Sequence, residues 1–188
     1  MTGSVIAGVR TGRLVRHGDE RGSFREVWRA SWYPGPSVEG PGPGAPTFVQ
    51  ANVSMSATGV LRGLHVHRRQ VDHWVVLDGR AFIALVDVRP AMDGRGAPVV
   101  ATHEATVDDW FAIPVGVAHG FLALEPLTLL YLVSAEFNGS DELGFAWDDP
   151  TAAVPWPRAP GTPDGRPILS DRDASAPRLA DLIGRPLG

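Results

Sequence analysis

Short runs rich in Val, Ile, Leu, Phe and Trp recur along this chain, each ended by a Gly- or Pro-bearing turn, and helical periodicity is almost absent. Short strands in that rhythm have no helices to cover them, so they must close on one another as a sandwich or barrel. Eight runs read as strands: residues 47–54, 60–66, 72–77, 81–87, 99–106, 110–113, 120–124 and 127–134. The 22 glycines and 17 prolines supply the turns. Between two of the runs stands Asp78-Gly79, a strong hairpin signal, which predicts that 74–77 and 81–87 pair antiparallel across it. Residues 33–46, YPGPSVEGPGPGAP, read as an irregular loop and 151–168 as a Pro-rich connection. A short helix is expected within 173–184, with Leu179, Leu182 and Ile183 toward the body. The length favours a single domain over residues 1–188.

Composition narrows the chemistry by exclusion. Without cysteine there are no disulfides, no thiolate catalysis and no Cys-type zinc site. All 17 basic residues are arginines, so no lysine can form a Schiff base, whereas arginine suits bidentate contact with phosphate. A net charge of -4 with no dense basic stretch gives no reason to expect nucleic acid. No apolar run is long enough to span a membrane. Charges break up the opening residues, unlike a secretory signal, so no membrane partner is expected and the cytoplasm is the default location.

Four of the six histidines fall in two short segments, GVLRGLHVHRRQVDHWVVLDG (59–79) and IPVGVAHGF (113–121). Imidazole is both a proton carrier near neutral pH and the commonest metal ligand. On a strand, His65 and His67 share one face. Asp72 and His73 alternate, so only one can face a pocket; the parity of Trp74 and Val76 favours Asp72. The spacing Gly-x5-His-x-His-x4-Asp-x6-Gly, then Pro-x-Gly-x-x-His, matches the two signature motifs of the cupin superfamily, with Asp for the usual Glu. A divalent ion held by His65, His67, Asp72 and His119 is one reading of that set.

Nine segments in order carry a narrower resemblance: DERGSFRE (19–26), FVQANVS (48–54), GVLRGLH (59–65), ALVDVR (84–89), IPVGVAHGF (113–121), LLYLVSAEF (129–137), FAWDDP (145–150), VPWP (154–157) and LSDRDASAP (169–177). The chain resembles the dTDP-4-dehydrorhamnose 3,5-epimerase (RmlC-like) family, a branch of the cupins. The resemblance implies an all-β cupin jelly-roll barrel with a short C-terminal helix, working as a homodimer without a cofactor on a dTDP-4-keto-6-deoxyhexose. It implies His65 as the base that takes the proton beside the 4-keto group, Asp173 as the acid that orients it, and Tyr131 as the proton donor on the opposite face. Arg62 matches an arginine on the diphosphate. Arg21, Phe24 and Glu26 match residues that hold the nucleotide, often across a dimer interface, and Gln50, Asn52 and His119 match pocket-lining positions. Phe137 stands where many members have a tyrosine. Taken alone, Asp173 reads equally as a helix N-cap before Pro177.

Two positions depart from the family. Asp72 replaces a lysine that helps to stabilise the enolate, and His67 replaces a glutamine. Loss of the lysine favours a single-position epimerase or an altered substrate over double epimerisation. It also leaves two other readings: a metal-dependent cupin isomerase or oxygenase, and a non-catalytic sugar-nucleotide-binding homologue. A histidine bound to metal cannot also be the free base, so the two enzyme readings compete for His65.

Overall fold

The structure, a computed structural model, describes residues 2–3, 5–33, 46–137 and 142–183; most of the expected loop 33–46 lies outside them. Among the described residues thirteen strands follow one another: β1 (Thr2–Gly3), β2 (Arg10–Arg13), β3 (Arg16–Asp19), β4 (Gly22–Arg25), β5 (Gln50–Ser56), β6 (Leu61–His67), β7 (Asp72–Asp78), β8 (Arg80–Asp87), β9 (Val99–Thr106), β10 (Asp109–Ile113), β11 (Val117–Ala123), β12 (Leu127–Val133) and β13 (Glu142–Gly144). They build two facing sheets of a jelly roll, in the orders β1-β2-β10-β7-β12-β5 and β13-β6-β11-β8-β9, and a separate hairpin, β3-β4. The eight runs read from sequence are β5 to β12, with ends shifted by up to three residues.

The central strands are buried almost continuously because both of their faces are covered. Trp74, Val76, Ile83, Leu85, Phe111, Ile113, Phe121 and Leu129 meet between the sheets. Residues of opposite parity in the five-stranded sheet, Leu64, Val66, Ala84, Val86 and Ala118, pack under Phe145, Ala152, Leu179 and Leu182. Those of the six-stranded sheet, Val75, Trp110 and Ala112, pack under Val27, Trp32 and Tyr33. The 151–168 connection has no helix or extended strand, as expected, but it adds Trp156 and Ala159 to a fourth cluster.

The expected hairpin across Asp78-Gly79 does not form. β7 pairs with β10 and β12, whereas β8 pairs with β11 and β9, so the turn carries the chain from one sheet to the other. An Asp-Gly pair reports a tight turn, not the partner of the strand that follows it. Five strands, β1 to β4 and β13, went unread. β2 and the β3-β4 hairpin are arginine- and glycine-rich, and the hairpin lies largely on the surface, so no apolar alternation marks it. Asp108 holds that hairpin to the barrel through ion pairs with Arg16 (3.0 Å) and Arg25 (3.1 Å).

The tail is not one helix over 173–184. It forms α2 (Asp171–Ala174), the second helix after α1 (Arg89–Met92), and then a separate 3-10 turn at Leu179–Asp181. Pro177 stands between them, where it cannot supply a helical N–H. Leu179 and Leu182 do face the body, but Ile183 is exposed. No helix among the described residues is long and apolar enough to cross a membrane.

Candidate active site

Strand parity delivers polar residues to one part of the barrel interior. Leu64 and Val66 turn outward to the C-terminal layer, so His65 and His67 turn inward on β6. The same parity sends Asp72 and Trp74 inward on β7 and His119 inward on β11. Tyr131 projects inward from β12, and Gln50 and Asn52 from β5. These side chains line a cavity of about 280 Å³ with Arg62, Phe137, Gln70 and Arg172. The size is near the lower end for small-molecule sites.

His65 is gripped from outside the sheet. Its Nε2 lies 2.8 Å from Asp173 Oδ1, which joins residues 108 apart in sequence. The carboxylate accepts, so Nε2 donates its proton and the neutral ring keeps its lone pair on Nδ1. Asp173 is not the N-cap of α2. Ser170 is, accepting from Asp173 N–H at 3.1 Å and donating its hydroxyl to Asp173 Oδ2 at 2.9 Å. Burial alone would raise the Asp173 carboxyl, but the bond and charge of His65, with Ser170 and Arg172, hold it below the ordinary carboxylate value. Asp173 therefore stays ionised, fixes the ring and steadies an imidazolium when one forms. Tyr131 stands on the other sheet, so the two candidate proton carriers approach the cavity from opposite walls.

Close backbone contact sets this part of the sheet. Gly63 has φ +124, and a Cβ there would meet Gly120 Cα at 2.6 Å. The β6-β11 register shifts just beyond, between His119 and Phe121, and His65 pairs opposite His119.

Asp72 and His73 divide as parity requires. Asp72 enters the cavity wall, with Trp74 Nε1–H donating to Oδ2 at 3.2 Å and the Gln70 amide donating to Oδ1 at 2.7 Å. His73 points to the opposite face, where its Nε2–H donates to Val27 O at 3.0 Å and Nδ1 accepts from the Tyr33 hydroxyl at 2.7 Å. Burial pushes His73 down to about 4 and the Tyr33 hydroxyl up, so both stay neutral and serve as a structural tie. Burial likewise lowers His119 to about 4, outweighing the pull of Asp72.

Of the four residues read as a possible metal set, the structure groups three. His67, Asp72 and His119 each offer one ligand atom, all within 4.8 Å of one another. His65 is not in that group, and its Nε2 bonds to Asp173 instead.

Arg62 lines the cavity and donates from Nε to Ser56 Oγ at 3.1 Å. Gln50 bonds to Asn52 at 2.9 Å and accepts from the Phe137 N–H at 3.0 Å, so these pocket positions brace one another. Arg21, Phe24 and Glu26 are not brought to the cavity. They lie on or beside the exposed hairpin, where Arg21 pairs with Asp19 and Glu26 with Arg29. Sequence reading missed Gln70, Trp74 as a donor, and Arg172. Gln70 sits in a turn without a motif, but Arg172 adjoins Asp173 and could have been noticed there.

The model of the family described as dTDP-4-dehydrorhamnose 3,5-epimerase matches residues 4–181. The chain belongs to that family. A Sinorhizobium fredii dTDP-4-dehydrorhamnose 3,5-epimerase is 34% identical over 94% of this chain and 88% of its own length. The enzyme of that name from Mycobacterium tuberculosis is 38% identical over 71% of this chain, and the match spans 66% of the relative's length. Among solved structures, the Mycobacterium tuberculosis rmlC epimerase superposes with a TM-score of 0.78 at 31% identity, covering 96% of this chain and 88% of the other. ChmJ, a 3'-monoepimerase from Streptomyces bikiniensis in complex with dTDP-quinovose, gives 0.77 at 28% identity, with 97% and 89% covered. The chain is thus similar both to proteins named as 3,5-epimerases and to a 3'-monoepimerase.

Proposed function

We propose that the protein epimerises a dTDP-4-keto-6-deoxyhexose at a carbon beside the ketone. The observation that carries this reading is the His65–Asp173 pair on one wall of a cavity whose facing wall presents Tyr131. His65 Nδ1 takes the proton from the α carbon, and the C–H electron pair moves into an enolate. Asp173 balances the imidazolium. The Tyr131 O–H then returns a proton to the opposite face of the same carbon; solvent reprotonates the tyrosinate and takes the proton from the His65 imidazolium. Bonds broken and formed balance, with no oxidant or reductant. A base in reach and a donor opposite are the requirements for inversion. Asp72 at the lysine position favours a single inverted centre. With a nucleotide sugar as substrate, the working compartment is the cytoplasm.

Incubation with such a sugar in heavy water should place deuterium at the α carbon. No exchange with any dTDP-4-keto-6-deoxyhexose would leave only sugar-nucleotide binding. Tyr131→Phe should separate the two half-reactions: epimer formation falls by about 10²-fold or more while His65-face exchange persists. Equal loss of both would remove Tyr131 from its role.

The active unit is a homodimer in which the hairpin of one copy serves the cavity of the other. In support, Phe24 is 69% exposed on the hairpin. β5 ends its sheet and turns Val53 and Met55 outward, an apolar edge that benefits from cover. Co-expressing Arg21→Ala with His65→Asn chains should restore about a quarter to half of the activity that each lacks alone, because one of the two sites in the mixed dimer is intact. Failure of complementation in a verified mixed dimer would place Arg21 on its own chain's site.

A further inference from the structure

We propose that His67, Asp72 and His119 bind one divalent transition-metal ion of the zinc class at the base of the sugar cavity. The donor set of two imidazoles and a carboxylate suits such an ion. His119 Nδ1–H donates to Val117 O at 3.0 Å, which fixes the lone pair on Nε2, 3.7 Å from Asp72 Oδ2. A backbone carbonyl orienting the ring from behind is the usual support of a ligating histidine. Trp74 orients Asp72 in the same way. His67 Nε2 lies 4.0 Å from Asp72 Oδ1. Ligands about 2.0–2.2 Å from a tetrahedral ion lie roughly 3.3–3.6 Å apart, so small side-chain rotations suffice.

Charge supports the same conclusion. Asp72 is 3% exposed, and among the described residues it faces the imidazoles of His67 and His119 and pairs with no arginine. A buried carboxylate without a counter-charge is costly, and a bound cation offsets that cost. The Gln70 amide nitrogen now bridges Asp72 Oδ1 (2.7 Å) and His67 Nε2 (3.1 Å). A half-turn of that amide puts its oxygen toward the ion, which gives the turn residue a role as a reserve ligand. The cavity leaves a side open to a ligand, as a catalytic rather than a structural site does. His65 is not one of the three grouped ligands and holds Asp173 through Nε2, so the ion need not take the base. Resting on the epimerase reading, the ion supplies the positive charge beside the keto oxygen that no lysine can.

The test needs no sugar nucleotide, so it fails or succeeds independently of the epimerase reading. Chelator-stripped full-length protein is titrated with Co²⁺, followed by visible d–d absorption, and with Zn²⁺ by calorimetry. The expected result is about one ion per chain, with affinity at least roughly tenfold weaker in Asp72→Asn and His67→Gln. His65→Asn should leave the spectrum and affinity unchanged. Circular dichroism confirms that each variant is folded. Absence of binding up to roughly 1 mM metal, a level that corresponds to about -4 kcal/mol, overturns the proposal. So does binding that survives both substitutions, or that falls with His65→Asn.

Discussion

His65→Asn should slow deuterium exchange into a dTDP-4-keto-6-deoxyhexose by about 10²–10⁴-fold, the usual contribution of a positioned general base. Asparagine occupies much of the same volume, and its amide can still donate to Asp173, so the tie between β6 and α2 persists. What disappears is the lone pair that takes the proton. Binding of dTDP should therefore change little, because the diphosphate contact assigned to Arg62 and the nucleotide contacts assigned to the hairpin are untouched. Asp173→Asn should cost less than His65→Asn. It keeps an oxygen to accept from Nε2–H but removes the charge that balances the imidazolium. Exchange measured by mass spectrometry, beside dTDP affinity by calorimetry, separates the outcomes. Exchange at the wild-type rate in His65→Asn would sink the assignment. Loss of dTDP binding in step with exchange would make His65 a binding residue instead.

The sequence located most of this site because β structure writes its geometry at period two. Leu64 and Val66 on one face place His65 and His67 on the other, and Trp74 and Val76 place Asp72 inward and His73 outward. That parity is fixed locally. The partner of His65 is not, since Asp173 reaches it from a helix 108 residues away; only the family resemblance pointed there. Spacing along one strand likewise grouped His65 with His67, because same-face spacing cannot tell which neighbour each ring will bond. The turn at Asp78-Gly79 misled for a related reason: local turn chemistry is silent about sheet membership. Gln70 and the indole of Trp74 acquire roles only when the turn and strand place them against Asp72.

That same turn yields the largest expected effect on stability. Gly79→Ala should lower Tm by about 6–12 °C, for a loss of roughly 3 kcal/mol at about 2–4 °C per kcal/mol in a chain of this size. Two costs combine. Gly79 has φ +84, which a Cβ penalises by about 1–2 kcal/mol. That Cβ would also lie 2.0 Å from Pro126 O and 2.9 Å from Pro126 C, both backbone atoms. Relief by movement is hard, because Asp78 ends a strand of one sheet and Arg80 begins a strand of the other. Pro126 in turn lies in the connection into β12, which pairs along β7. Shifting either side disturbs the interface where Trp74, Val76 and Leu129 meet. Gly22→Ala gives the strain without the collision, since φ is +131 with nothing within 4 Å, and should cost only about 1–2 kcal/mol. Gly96→Ala has neither and should leave Tm unchanged. Thermal melts of the three should therefore rank Gly79 far below the others. If Gly79→Ala melts with Gly22→Ala, the crossing between sheets is more yielding than its backbone contacts imply, and only the φ penalty remains.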